Sequence, residues 1–180
     1  MKLYHSPFNL LMVLFGTLYL ISCSTTPEPA EPETIPVPLS ILASKNINPD
    51  FKKRASPIVI RIYQLTHIDT FDNNDFFTLY ENDQTVLAKD LLYREEIEIT
   101  PGQEITRKAF EVHRKSKYIA VLAAYRDLDK SQWKSIFKFN PAIEQEPLQI
   151  DVNEFEVLIK KASKPDAEND AGFFEFLFFW

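Results

Sequence analysis

Cys23 is the only cysteine in the chain and stands directly after Leu20-Ile21-Ser22, at the end of an apolar run that begins at Phe8. A cysteine sulfur is the strongest nucleophile among the side chains, and the small Ser22 before it leaves room for a peptidase. Attachment chemistry at a cleavage point is the one covalent activity the residue types announce. Other candidates are weaker. His5 leaves with the leader, and His67 and His113 stand far apart among polar residues, a poor basis for a metal site. The acidic run Asp69–Asp83 invites a calcium reading, but counting from Asp72 the fifth position is Phe76 and the required glycine is missing. Glu95 and Glu96 are neighbours on an expected strand and so face opposite sides, which rules out joint acid–base work. Neither a G-x-S-x-G elbow nor a glycine-rich phosphate loop is present, so an enzyme is not expected.

The run Phe8–Ile21 is about 14 residues long, short of the roughly 20 that span a bilayer. Leu20-Ile21-Ser22-Cys23 resembles the lipobox, in which the cysteine thiol takes a diacylglycerol and becomes the new amino terminus. That resemblance implies a signal peptide over residues 1–22, a covalent lipid on Cys23 and no other cofactor. Ser24 follows, where an aspartate would resemble an inner-membrane retention signal, so the expected address is the outer membrane. One acyl chain binds membrane marginally, whereas two or more hold it firmly.

Removing residues 1–22 takes away Lys2 and no acid, which moves the formal charge from −6 to −7. Nucleic acid is a poor partner for so acidic a chain. With Cys23 lipidated no thiol remains for a disulfide, and packing alone must hold the domain.

Residues 23–36 form a proline- and glutamate-rich tether, with Pro27, Pro29, Pro32 and Pro36 among Glu28, Glu31 and Glu33. Fully extended, the stretch Ser24–Pro38 reaches about 45 Å. A β-domain is expected over residues 37–161. Val37, Leu39 and Ile41 alternate as in a half-buried strand, and a long polar loop, Ser44–Ser56, follows them. Pro57–Leu65 is nearly all β-branched or aromatic. Thr70–Tyr80 changes to a helical period with Asp72 as candidate cap, and Asp83–Leu92 adds a further helical turn or two. Strands then resume at Glu95–Thr100, Glu104–Val112, Tyr118–Tyr125, Trp133–Phe139, Leu148–Val152 and Glu154–Lys160. Eight short strands and one brief helical insertion predict a mainly β, two-sheet sandwich.

Residues 162–180 are a polar linker and an aromatic tail, Phe173-Phe174-Glu175-Phe176-Leu177-Phe178-Phe179-Trp180. Such a segment should not stay in water. The simplest expectation is that it packs on the sandwich or pairs with an edge strand; the alternative is that it meets a partner or the membrane.

The strand blocks, taken in order, resemble the TssJ family of type VI secretion lipoproteins. They are Ala43-Ser44 with Asn48-Pro49-Asp50, Ser56–Leu65, Asp75-Phe76-Phe77 with Leu79-Tyr80, Asp90-Leu91-Leu92, Thr100-Pro101-Gly102, and Tyr118–Asp127 with Trp133. The resemblance implies a transthyretin-like sandwich held at the outer membrane and facing the periplasm. It also implies a role: binding the periplasmic domain of the inner-membrane protein TssM, with TssL in the same complex. The family makes that contact through the loop between its first two strands. Here the loop offers Asn48, Pro49, Asp50, Phe51, Lys52, Lys53 and Arg54, with Phe51 as candidate anchor and the basic trio as the charged approach. Family members often carry glycine and then Arg-Pro-Ser-Pro at the loop's end, whereas this chain has Lys53-Arg54-Ala55-Ser56-Pro57. The aromatic tail lies outside the pattern. The competing reading is a periplasmic lipoprotein that binds a small ligand or carbohydrate.

Overall fold

The computed structural model describes residues 32–142 and 146–162. Cys23, the leader, most of the tether and the aromatic tail lie outside the described residues. Eight strands are found: β1 (Thr34–Ala43), β2 (Ile58–Leu65), β3 (Leu91–Ile99), β4 (Glu104–His113), β5 (Tyr118–Ala123), β6 (Lys134–Lys138), β7 (Leu148–Val152) and β8 (Val157–Lys161). Helices α1 (Asp69–Asn73) and α2 (Phe76–Val86) interrupt β2 and β3. The strands form two four-stranded sheets, β4-β1-β7-β8 and β3-β2-β5-β6, the two-sheet sandwich expected from the alternation. Every pairing is antiparallel except β1 with β7.

Alternation decides what each face buries. Val37, Leu39 and Ile41 of β1 meet Ile58, Ile60 and Ile62 of β2 and Ile119 and Val121 of β5 in the core between the sheets. The opposite face of β2 and β5 is apolar too, through Tyr63, Leu65, Ala120 and Leu122. A second cluster forms there because Phe71 from α1 and Phe76 and Leu79 from α2 cover it. β5 is therefore covered on both sides, as its unbroken apolar run requires.

Several boundaries differ from expectation, among them the start of β8, at Val157 rather than Glu154, and the end of β5, at Ala123 rather than Tyr125. β1 opens at Thr34, three residues before Val37, and so takes in Pro36 and Pro38. Proline cannot donate to a ladder and survives at edges or bulges. β7 pairs only with Leu39–Ala43, leaving Pro36 free on that side, and the register against β4 shifts between Val37 and Leu39, around Pro38. The expected helix Thr70–Tyr80 is split, because Asn74 is extended (φ −97°, ψ 152°). Asp75, not Asp72, then caps α2: its carboxylate accepts from the backbone N–H of Thr78 at 3.0 Å and from its hydroxyl at 2.7 Å. Finally, Leu91 and Leu92 belong to β3 rather than to a helical turn. The turn closes at Leu87, whose carbonyl accepts from Asp90 and Leu91, and the N–H of Thr66 donates to the Asp90 carbonyl to start the next strand beside β2.

At one rim of the sandwich β1 starts opposite His113, while β8 stops short of it, opposite Leu148 and level with Leu39 in the middle of β1. The other rim carries the loops 44–57, 100–103, 124–133 and 153–156.

A candidate docking surface at the loop rim

The β1–β2 loop is built from its polar side chains. Asn48, only 4% exposed, adopts φ 47°, a left-handed conformation that asparagine tolerates. Its side-chain amide donates to the Pro57 carbonyl at 2.8 Å, and its side-chain oxygen accepts from the N–H of Arg126 at 2.8 Å. Buried polar groups need such partners, and Asn48 uses them to join this loop to the β5–β6 loop. Ile47 beside it is inserted into the core.

Asp50 closes the tip. One carboxylate oxygen accepts from the N–H groups of Lys52 and Arg54 at 2.8 and 3.0 Å, and the other meets the Arg54 guanidinium at 2.7 and 2.8 Å. The Arg54 hydrogen bonds, backbone first, hold the Asp50 carboxyl below its ordinary value. Because Asp50 turns inward on its own loop, the side chains left facing water are Phe51, Lys52, Lys53 and Arg54. Phe51 is 90% exposed, with the Lys52 ammonium 5.5 Å from its ring centre. Lys53 sits at φ 62°, in the left-handed region where a side chain costs about 1–2 kcal/mol. This is the position at which the sequence resemblance implies that glycine is often found.

Of the seven loop residues expected to meet a partner, the structure thus separates two tasks. Asn48 and Asp50 shape the backbone, Pro49 is half-buried, and Phe51 to Arg54 form the outward surface.

That surface continues beyond the loop. Phe51 and Arg54 border an open groove of about 1120 Å³ whose other walls include Phe77, Phe155, the cations Arg126 and Lys130, and the acids Asp127, Asp129 and Glu154. Phe77 is 61% exposed. Two consecutive phenylalanines on one helix cannot both face the same core, and Phe76 takes it, against Trp133 at 5.5 Å between ring centres. The sequence signal for Phe77 was therefore the Phe76-Phe77 pair itself, read as a helix face. Arg126–Lys130 and Phe155 carried no local signal, since only the fold brings these loops to Phe51.

The placement of Phe77 depends on how α2 is fastened. Asp83 of α2 lies buried over the outer face of β2 and β3, where it accepts from Tyr63 at 2.9 Å, Arg61 at 3.1 Å and Arg94 at 2.7 Å. Glu96 completes the cluster at 2.7 Å from Arg61 and 2.8 Å from Arg94, so two cations face two anions. The Arg61 guanidinium also stacks on Tyr80, 4.2 Å from the ring centre, and donates to its carbonyl. At the helix's other end the Lys134 ammonium donates to the carbonyls of Asp72 and Asn74.

The histidines stand elsewhere. His67 contacts Asp90 at 3.0 Å, and His113 Nδ1 accepts from the N–H of Lys115.

The model of the family described as "Type VI secretion lipoprotein, VasD, EvfM, TssJ, VC_A0113" matches residues 36–155. Among solved structures, the type VI lipoprotein TssJ1 from Pseudomonas aeruginosa is similar at 28% identity and TM-score 0.65, over 72% of this chain and 99% of that one. Serratia marcescens Lip, a membrane-bound component of the same system, is similar at 22% identity and TM-score 0.62, over 73% and 99%. A chain of the structure described as "T6SS protein TssM C-terminal domain (869-1107) from EAEC" is similar at 25% identity and TM-score 0.59, over 69% and 99%. Curated protein sequences give no match. The family model covers most of the sandwich, including the β1–β2 loop, both helices and the groove, and on that ground the chain belongs to the TssJ family of type VI secretion lipoproteins.

Proposed function

We propose that this protein is a non-enzymatic anchor of the type VI secretion membrane complex: lipidated on Cys23, held at the outer membrane, and bound through its loop rim to the periplasmic domain of TssM, with TssL in the same assembly. The observation that carries the reading is the pairing of Phe51 and Phe77, two large apolar side chains left in water on either side of one groove. Exposed aromatics beside a pocket and a polar rim are the anatomy of a binding hot spot. Lys52 and Lys53 would speed encounter with an acidic surface more than they would add affinity.

The choice of TssM draws on the similarity to a chain in a structure described by the TssM fragment. Because 69% of this chain aligns with 99% of that one, the matched chain is too short to be the whole 869–1107 span. That fits a lipoprotein accompanying the fragment.

The test is purification of the full chain from membranes of cells producing TssM and TssL. The native protein should carry both with it. A chain in which Phe51, Lys52 and Lys53 are all alanine should stay in the membrane and lose them. Unchanged recovery of TssM would move the contact away from this rim.

A further inference from the structure

The walls of the groove carry four cations, Lys53, Arg54, Arg126 and Lys130, and four acids, Asp50, Asp127, Asp129 and Glu154. Most of these charges are already answered within the rim. Arg54 is paired with Asp50 at 2.7 Å and Lys130 with Asp127 at 2.6 Å, while Glu154 accepts from the Asn46 amide at 2.8 Å. Asp127 first, and Asp129 after it, hold the Lys130 ammonium above its ordinary pKa. Among the described residues, the side chains of Lys53 and Arg126 have no ion pair or hydrogen bond.

The two are presented differently. Lys53 is a compact charge on a flexible stem at the loop tip, on backbone at φ 62°. Arg126 stands on backbone fixed from two directions: its own N–H donates to Asn48, and Tyr125 before it is buried in the core with its hydroxyl donating to the Asn153 carbonyl at 3.0 Å. A guanidinium is a rigid fork of donors that matches a carboxylate at two points. Carried on a fixed residue, it meets a partner at less cost in entropy than a loop-tip lysine does.

The rest of the groove limits which anion fits. Phe51, Phe77 and Phe155 supply apolar surface, and Asp129 and Glu154 repel a phosphate or any polyanionic surface. A single carboxylate among apolar side chains satisfies Arg126 without crowding those acids.

We infer that Arg126 is the specificity residue of the groove, receiving an aspartate or glutamate carboxylate from the apolar segment that Phe51 and Phe77 hold. This rests on the proposed use of the groove and adds a division of labour to it. Lys52 and Lys53, on the open rim, act on the rate of encounter; Arg126, covered once the partner is seated, acts on the rate of release.

The test uses the full chain, purified from membranes in detergent and captured on a sensor surface, with the TssM periplasmic domain in solution. Arg126→Met keeps the apolar stem and the backbone N–H that Asn48 binds but removes the charge, and should raise the dissociation rate about thirtyfold with little change in association. Lys52→Ala with Lys53→Ala should do the reverse, slowing association. Arg126→Lys returns a charge without the fork and should dissociate more slowly than Arg126→Met, which a packing role alone would not produce. Native dissociation in Arg126→Met, or a lysine variant no better than the methionine one, would overturn the inference while loss of binding in Phe51→Ala with Phe77→Ala left the groove reading standing. Absence of TssM binding by the native chain would overturn both.

Discussion

The side-chain oxygen of Asn48 accepts from the backbone N–H of Arg126 across 78 residues of sequence, and this one bond makes two loops into a single surface. Asn48 touches no solvent-facing part of the groove, yet the spacing between Phe51 and the 126–130 wall depends on it. Its substitution separates shape from contact.

Asn48→Ala removes both hydrogen bonds and places a residue with no compensating side chain at φ 47°. An orphaned buried donor and acceptor each cost about 1–3 kcal/mol. Urea unfolding should show a loss within that range or above it, and affinity for the TssM periplasmic domain should fall although the residue is buried.

Lys53→Gly should act in the opposite direction on stability. The left-handed φ of 62° is strained for lysine and free for glycine, so the domain should gain up to about 1 kcal/mol. The unfolding midpoint measures this. A loss would mean that the Lys53 side chain contributes more than its backbone costs.

The expectations from sequence succeeded where local pattern and fold agree. Ile58, Ile60 and Ile62 alternate and do line the inter-sheet core, and Thr100-Pro101-Gly102 is the β3–β4 turn, with Gly102 at φ 74°. They failed where a neighbour in space decides. Pro36 and Pro38 looked like tether because nothing in the sequence says that β7 pairs only with the second half of β1. Asp72 and Asp75 are both plausible caps, and the extended backbone at Asn74 selects Asp75. The loop Ser44–Ser56 was legible as a whole, but not the division between inward Asn48 and Asp50 and outward Phe51 to Arg54. Phe155 and Arg126 could not be assigned to the groove from sequence at all.

The cluster beneath α2 predicts a pH effect. The Arg61 hydrogen bond holds the Glu96 carboxyl below its ordinary value of 4.5. A carboxylate whose folded pKa is depressed stabilises the fold above its unfolded pKa, and that contribution is lost as pH falls through the folded value. The urea midpoint should therefore drop between about pH 5 and pH 3, and Glu96→Gln should flatten that part of the curve while lowering stability at neutral pH. Equal slopes in both proteins would assign the acid sensitivity to other carboxylates.

Asp83→Ala removes the buried anion shared by Arg61 and Arg94 and leaves the two arginines only the half-exposed Glu96. Breaking a buried pair in this way costs about 3–5 kcal/mol. Loosening α2 should also weaken partner binding through Phe77. Hydrogen exchange should show faster opening of Phe76–Val86 while β1 and β7 stay protected.

In the proposed complex Phe51 and Phe77 anchor one partner from two sides of the groove. Calorimetric titration of the TssM periplasmic domain into the soluble chain measures it most directly. Phe51→Ala and Phe77→Ala should each cost about 2 kcal/mol of binding, roughly thirtyfold in Kd. Both side chains are exposed, so the thermal midpoint should not move. Wild-type affinity in the double variant, at an unchanged midpoint, would show that neither phenylalanine anchors the partner.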